Sequence, residues 1–391
     1  MHMSNRLLYS VACITLFCFY FSENLNFDES ILGEFAKLFD SLKIKYIALL
    51  YACILMHISS FNKKKVEVFS PEKRYFLFFI LIIGVTTLYF QFKNGFKLYS
   101  IGEFLYIITP FVFVYYYVKS VPTFVEKLIN ISFYFSVFFF GYFILYQFYK
   151  GAGISDINPL ESFSPFESGL APYFVFFEIY YLAKKDKKKV FFCALLSILS
   201  LKRLCLLKSI LLLFFLFANN QRRVPKAIFY ASIGLFIMAP LLIEFLFSDK
   251  AVQIIEDITG MDISLLSMSR NSLVALVLDE TECHNFGLGT TVDMIKNDAG
   301  DLSIAGSLHS DLLRIYIEGT ILSTIVFTIS YFRMVKDYLI FPFLVVLHYF
   351  SEGLFNHYML GAGNTCQLIL FYLILYYLNR QRNLKYQINK V

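Results

Sequence analysis

Three residues in this chain of 391 stand out as candidates to carry a reaction: Arg203, Arg270 and His309. A guanidinium group is a fixed, planar fork that binds phosphate or carboxylate oxygens in pairs. An imidazole titrates near neutral pH and can take a proton from a hydroxyl. Arg203 follows Lys202 in the middle of the apolar stretch from Val190 to Phe217. Arg270 precedes the short run Asn271 to Leu278 and is expected at a helix start, where an anion is also favoured. His309 opens the string His309-Ser310-Asp311-Leu312-Leu313-Arg314-Ile315-Tyr316-Ile317-Glu318-Gly319, and taken alone it also reads as a surface histidine.

Other residues suit binding better than chemistry. Lys202 adds charge beside Arg203. The turn Asn285-Phe286-Gly287-Leu288-Gly289-Thr290-Thr291 could offer the backbone N–H groups around Gly287 and Gly289 to an anion, or be a plain loop. Arg314 and Glu318 stand at i and i+4, a spacing that equally fits a salt bridge holding a helix in place. The run Asp279-Glu280-Thr281-Glu282-Cys283-His284 mixes possible ligands but lacks the paired spacing of a zinc site. With no D-x-D or E-x-D pair in the outer loops, no metal and no other cofactor are expected.

These residues must be positioned by a membrane scaffold. Hydrophobic residues make up 58% of the chain and charged ones 16%, against about 25% charged in soluble domains. Apolar runs recur at about the 20 residues needed to cross a ~30 Å hydrocarbon core. With no water in that core such runs must be helices. The expected spans are 6–22, 44–61, 75–90, 98–118, 128–149, 170–183, 190–201, 204–218, 227–247, 311–332, 338–350 and 357–378. The reading is an all-α polytopic membrane protein with about twelve transmembrane helices, one domain over 1–391. The first run, Leu7 to Phe21, is followed by acidic residues rather than a small-residue cleavage site, so it is read as a retained helix.

The net charge of +6 is topological. Lys63-Lys64-Lys65, Lys184-Lys185, Lys187-Lys188-Lys189, Arg222-Arg223 and the tail from Arg380 fall in alternate loops, the positive-inside pattern of cytoplasmic segments. Both termini are then cytoplasmic, and one large loop, 248–310, is periplasmic with two smaller ones, 23–43 and 150–169. The partner this charge implies is the lipid bilayer, and no nucleic-acid groove is visible. The same clusters force Val190 to Phe217 into a hairpin turning at Leu201-Lys202-Arg203, which lifts those cations from the bilayer centre to the outer surface, where they could serve a function or merely snorkel to lipid headgroups. Six of the seven cysteines fall in apolar spans and only Cys283 in an outer loop, so no disulfide framework is expected. Glu103, Glu178, Glu244 and Glu352 lie within or at the edges of spans, where they would pair helices or line a polar cavity.

Residues 190–360 resemble the O-antigen polymerase and O-antigen ligase superfamily of bacterial envelopes. The resemblance rests on the order and spacing of Ser200-Leu201-Lys202-Arg203, Ser269-Arg270, Gly287-Leu288-Gly289 and His309…Glu318-Gly319. The ligase-like pattern often has Asn after the histidine and Gly after the first arginine, where this chain has Ser310 and Leu204. What the resemblance implies is a GT-C-like, metal-independent, inverting glycosyltransferase of the bacterial inner membrane. Its substrates would be undecaprenyl-diphosphate-linked oligosaccharide repeat units, and a chain-length-regulating polysaccharide co-polymerase would be its partner. Arg203 and Arg270 would stabilise the leaving diphosphate, and His309 or an outer-face carboxylate would be the base. Length, aromatic content and the departures favour a polymerase over a ligase. The alternative from another class is a lipid-linked oligosaccharide flippase or other transporter. Against it, the chain has no visible internal repeat and gathers its unusual charges on one face.

Overall fold

The computed structural model describes residues 4–25, 31–61, 73–153, 165–219, 222–246, 248–259, 270–281, 287–298, 308, 310–355 and 365–388. Among these the structure is helical, with one isolated β-bridge between Arg223 and Leu339. The helices are α1 (Asn5–Leu25), α2 (Ile31–Ser41), α3 (Ile44–Ser60), α4 (Lys73–Asn94), α5 (Leu98–Ser120) and α6 (Val125–Tyr149). Then come α7 (Ala171–Lys184), α8 (Lys187–Leu199), α9 (Arg203–Leu213), α10 (Lys226–Leu246) and α11 (Asp249–Thr259). The last five are α12 (Arg270–Thr281), α13 (Thr290–Asp298), α14 (Asp311–Arg333), α15 (Ile340–Phe355) and α16 (Thr365–Ile388).

Six of these helices, α1, α4, α5, α6, α10 and α14, are long and apolar enough to cross a membrane. The pair α2 and α3, bent by 59°, would make a seventh. Large apolar side chains are exposed on such helices in helical register, as Leu77, Leu81, Val85 and Leu88 are on α4 and Leu235, Met238, Leu242 and Phe245 on α10. An apolar surface of that extent is one that lipid solvates. The chain is an α-helical, membrane-embedded protein.

Burial explains which helices lie innermost. From Ala171 to Ala183 every residue of α7 is buried, and so is Cys366 to Leu375 on α16. A helix that is apolar all round belongs in the centre of a bundle. Here α7 packs against α6, α8, α9, α15 and α16. Aromatic rings fill the interior in the absence of Trp: Tyr349 stacks on Phe371 with centroids 4.4 Å apart, and the Tyr331 and Tyr372 hydroxyls meet at 2.5 Å.

One end of the bundle is basic and tightly tied. Lys184 pairs with Glu126, which also accepts from the Tyr377 hydroxyl at 3.1 Å. The chain before α10 and the chain before α15 exchange backbone bonds, Val224 N–H to Tyr338 O at 2.8 Å and Ile340 N–H to Arg222 O at 2.9 Å. The opposite end carries the longer connections, including α11, α12 and α13.

The stretch 190–217 turns at Ser200–Lys202, with Leu201 in the left-handed region at φ 55°. At 1.5 Å per residue, α8 and α9 reach only about 20 and 17 Å, too short for either to cross a ~30 Å core alone. Ser168 N–H donates to Ser200 O at 3.1 Å, fastening this turn to the entry of α7.

Candidate functional site at the loop-bearing end

Helix α14 begins with Ser310 as its N-cap, the hydroxyl accepting from Leu313 N–H at 3.3 Å. That hydroxyl satisfies one of the orphan donors of a helix start. One turn on, Arg314 is buried, donating from Nε to Glu318 Oε1 at 3.1 Å and from its terminal nitrogen to Glu103 Oε2 of α5 at 3.0 Å. Both carboxylates are also buried. A guanidinium reaches two acids from one rigid plane, and two helices are joined where an isolated charge would be prohibitive.

The helix breaks just beyond. Thr320 has φ 73° and ψ 168°, a region that β-branched residues rarely enter. A Cβ on Gly319 would stand 2.6 Å from Ser323 Oγ and 2.7 Å from Ile83 Cδ1 of α4, so a larger residue would displace those side chains. The Ser323 hydroxyl donates to the Gly319 carbonyl, meeting an acceptor near the break.

Into this break the segment before α13 inserts its glycine turn. Gly287 N–H donates to the Glu318 carbonyl at 2.7 Å, and Leu288 N–H donates to Thr87 Oγ1 of α4 at 3.1 Å. Thr291 gives Glu318 Oε1 both its N–H, at 3.2 Å, and its hydroxyl, at 2.7 Å. Leu288, Thr290 and Thr291 are buried. Gly287 has φ +132°, and a Cβ there would lie 2.3 Å from Phe90 Cβ. Gly289 takes φ 89°. Four N–H groups of the turn, those of Gly287, Leu288, Thr290 and Thr291, are therefore committed to the protein's own oxygens, and the turn is a clasp between the segment before α13 and helices α4 and α14.

A second, small hydrophobic core continues the clasp. Leu273, Val274 and Val277 of α12 pack with Ile295 of α13, Leu308, and Leu313 and Ile317 of α14. Arg270, the first residue of α12, precedes Leu273 by one helical turn. Its side chain is outside the described residues, and so is the whole of His309, which follows Leu308 directly in the sequence. The two segments that bear these residues thus share one core.

No protein-family model, curated protein or solved structure matches the chain.

The hairpin carries the remaining candidates. Lys202 is the N-cap of α9 and is half-buried, while Arg203 is exposed on the side of the helix away from buried Cys205 and Ser209. Below them, Lys208 pairs with Glu352 of α15, whose Oε1 also accepts from Cys205 Sγ at 3.5 Å. His348, one turn earlier on α15, lies with Nδ1 3.4 Å from Lys208 Nζ and Nε2 3.0 Å from the Pro172 carbonyl. The Ser209 hydroxyl donates to Glu178 of α7. The structure thus gathers Arg314, Glu318, Gly287 and Gly289 into the clasp and sets Lys202 and Arg203 on a separate hairpin.

Sequence reasoning singled out Glu103, Glu178 and Glu352 but named none of their partners. It passed over Thr87 and His348, and named Thr291 only as the end of the glycine turn, with no partner. For His348 a signal existed, its i, i+4 spacing to Glu352 inside an apolar run. Thr87 and Thr291 had none, since a hydroxyl one turn from anything is commonplace.

Proposed function

We propose that the chain is a surface-polysaccharide (O-antigen) polymerase of the bacterial inner membrane. About twelve of its helices lie in the bilayer in a GT-C-like arrangement, the short α8 and α9 as a hairpin neither arm of which crosses alone, with the basic end and both termini cytoplasmic and the clasp end periplasmic. The observation that carries the reading is the shared core of Leu273, Leu308 and Leu313, onto which both the Arg270 segment and the His309 segment converge at the end that also bears Lys202 and Arg203.

In the proposed reaction a hydroxyl of a lipid-linked repeat unit attacks the anomeric carbon of the growing chain. The carbon–oxygen bond to undecaprenyl diphosphate breaks, its electron pair leaves on the diphosphate, and the hydroxyl proton passes to His309. Arg203 and Arg270, with Lys202 beside them, meet the charge that develops on the diphosphate, a role that positioned guanidinium groups fulfil without reorganising. Inversion at the carbon follows from single displacement. A separate co-polymerase would set product length. A ligase of the same superfamily would differ only in its acceptor, a lipid-anchored core oligosaccharide instead of a repeat unit.

The rival from another class is a transporter of the lipid-linked unit. The interruption of α14 at Thr320 and the Lys208–Glu352–His348 group, with Glu352 and His348 buried, favour it, since broken helices and interior charges mark transport sites. Purified protein in liposomes with lipid-linked repeat units decides between them. A ladder of longer lipid-linked glycans is the expected result. Movement of the lipid to the other leaflet with no elongation would replace the polymerase with the transporter.

A further inference from the structure

We infer that Glu318 is a positioning residue that docks the outer segment on the bundle and thereby holds the segments bearing Arg270 and His309 in register with the membrane helices. The part concerning catalysis rests on the polymerase reading above. The docking itself does not.

Glu318 is the point at which helix α14 and the outer segment meet. Its Oε1 accepts from Arg314 on its own helix and from both the N–H and the hydroxyl of Thr291 on the outer segment. Its carbonyl accepts Gly287 N–H at 2.7 Å. In a continuous helix that carbonyl belongs to the N–H four residues on. The break at Thr320 turns the local backbone out of the ladder and leaves the carbonyl to the incoming turn. Two features that look unrelated, a strained threonine in a membrane helix and a glycine pair 31 residues earlier than Gly319's neighbour Glu318, answer one need. The outer segment requires a polar socket inside an apolar wall.

The socket is fixed from behind. Arg314 is anchored to Glu103 on α5 at 3.0 Å, so the Glu318 carboxylate is held against rotation toward lipid. Leu288 enters between α4 and α14 and is 1% exposed, and its N–H is received by Thr87 at 3.1 Å. From the socket the chain runs directly into α13, which packs against α12 and whose Ile295 shares a hydrophobic core with Leu273 and Val277. Moving the clasp would therefore move the helix that Arg270 opens. The charge of Glu318 matters because a charge-assisted hydrogen bond is about twice as strong as a neutral one.

Hydrogen exchange across residues 287–298 of the full-length protein in nanodiscs tests the docking. Thr291→Val keeps the volume and removes the hydroxyl, Thr291→Ser keeps the hydroxyl and removes a methyl, and Glu318→Gln keeps the shape and removes the charge. Thr328→Val, a buried threonine two turns beyond the break, is the control. Exchange in 287–298 should quicken roughly ten- to a hundred-fold in Thr291→Val and Glu318→Gln, the effect of losing a hydrogen bond to a charged group. It should stay at the parental rate in Thr291→Ser and in the control. A role in packing alone gives the reverse order, with Val tolerated and Ser not, and would overturn the inference. So would parental exchange in Glu318→Gln.

Glycan elongation by the same variants tests the catalytic part. Turnover should fall in step with exchange while KM for the lipid-linked donor changes less than about threefold, because positioning is spent on kcat. Quickened exchange with full turnover would refute the positioning role. If the parent itself fails to elongate, the polymerase reading falls and the docking is judged on exchange alone.

Discussion

Glu318 accepts a shorter hydrogen bond from the Thr291 hydroxyl, at 2.7 Å, than from Arg314 one turn back on its own helix, at 3.1 Å. The carboxylate is thus shared between a membrane helix and the segment that lies over it. A purely intrahelical salt bridge would leave the 287–298 segment to find its own support.

The glycine turn makes this sharing sensitive to a single methyl group. In Gly287→Ala the new Cβ would sit 2.3 Å from Phe90 Cβ and 2.7 Å from its Cγ, at a φ of +132° that alanine disfavours. The turn must withdraw from α4, and Leu288 N–H and Gly287 N–H lose Thr87 and Glu318. Overpacking alone typically costs about 1–3 kcal/mol, and two buried donors left unmade add to it. Thermal unfolding of the purified protein should show a clear downward shift for Gly287→Ala. The same substitution at Gly234, where nothing lies within 4 Å of the added carbon, should leave the midpoint unchanged or raised.

The Lys208–Glu352 pair offers a test of a different kind, since both charges sit among α7, α9 and α15 with Glu352 fully buried. Lys208→Met strands a carboxylate beside Cys205 and His348, and removing one partner of a buried pair destabilises by about 3–5 kcal/mol. Replacing both charges in Lys208→Met/Glu352→Gln removes the stranded charge too. The double variant should therefore be more stable than Lys208→Met alone, with a coupling of about 1 kcal/mol or more in a denaturation cycle. Additive losses would mean that the two groups do not feel each other.

The proposed orientation is tested by the cysteines already present. Cys18, Cys53, Cys193, Cys205 and Cys366 are buried and Cys13 is partly so. Cys283 belongs to the loop assigned to the periplasm, and Ile258→Cys would place a second thiol at a position that is 79% exposed. Both should react with a membrane-impermeant reagent added to intact cells. A thiol at Lys187, on the basic end, should react only after permeabilisation. The opposite pattern would invert the protein and move the proposed chemistry to the cytoplasm.

What the sequence made legible, and what it hid, divides by the range of the physics. Helices such as Ala171–Lys184 and Asp311–Arg333 begin and end within two residues of their expected limits, because apolar length and flanking charge are local signals. The turn at Ser200–Lys202 follows equally from cations that cannot rest in hydrocarbon. Helices α2, α11 and α13 were not expected, since short amphipathic helices in mixed-polarity loops lack a long apolar run. The clasp was the least legible part. Arg314 finds Glu103 across 211 positions and Leu288 finds Thr87 across 201, and no periodicity encodes such a pairing. Gly287-Leu288-Gly289 suits an anion nest or a buried turn equally well in sequence. Only the destinations of its N–H groups tell the two apart.

His309 carries the last prediction, and it separates group transfer from transport. If its imidazole takes the acceptor proton, His309→Ala should slow elongation by roughly 10²–10⁴-fold, the range for a positioned acid–base group. Donor binding should change far less, because the diphosphate contacts are assigned to Arg203 and Arg270. The sign of the pH effect follows from the same role. A base must be neutral to accept a proton, so the parental rate should hold above the ordinary histidine value of about 6.5 and fall as pH drops through it. In His309→Ala that limb should vanish along with the rate. EDTA should leave the parental rate unchanged, since the proposed step runs through arginine and histidine. Elongation measured by gel in liposomes, across pH and in both proteins, reads all of these. Elongation that persists in His309→Ala with its acid limb intact would move the base to a carboxylate. A carboxylate with an ordinary value of about 4 would have its limb well below that of histidine, so the position of the limb identifies the group.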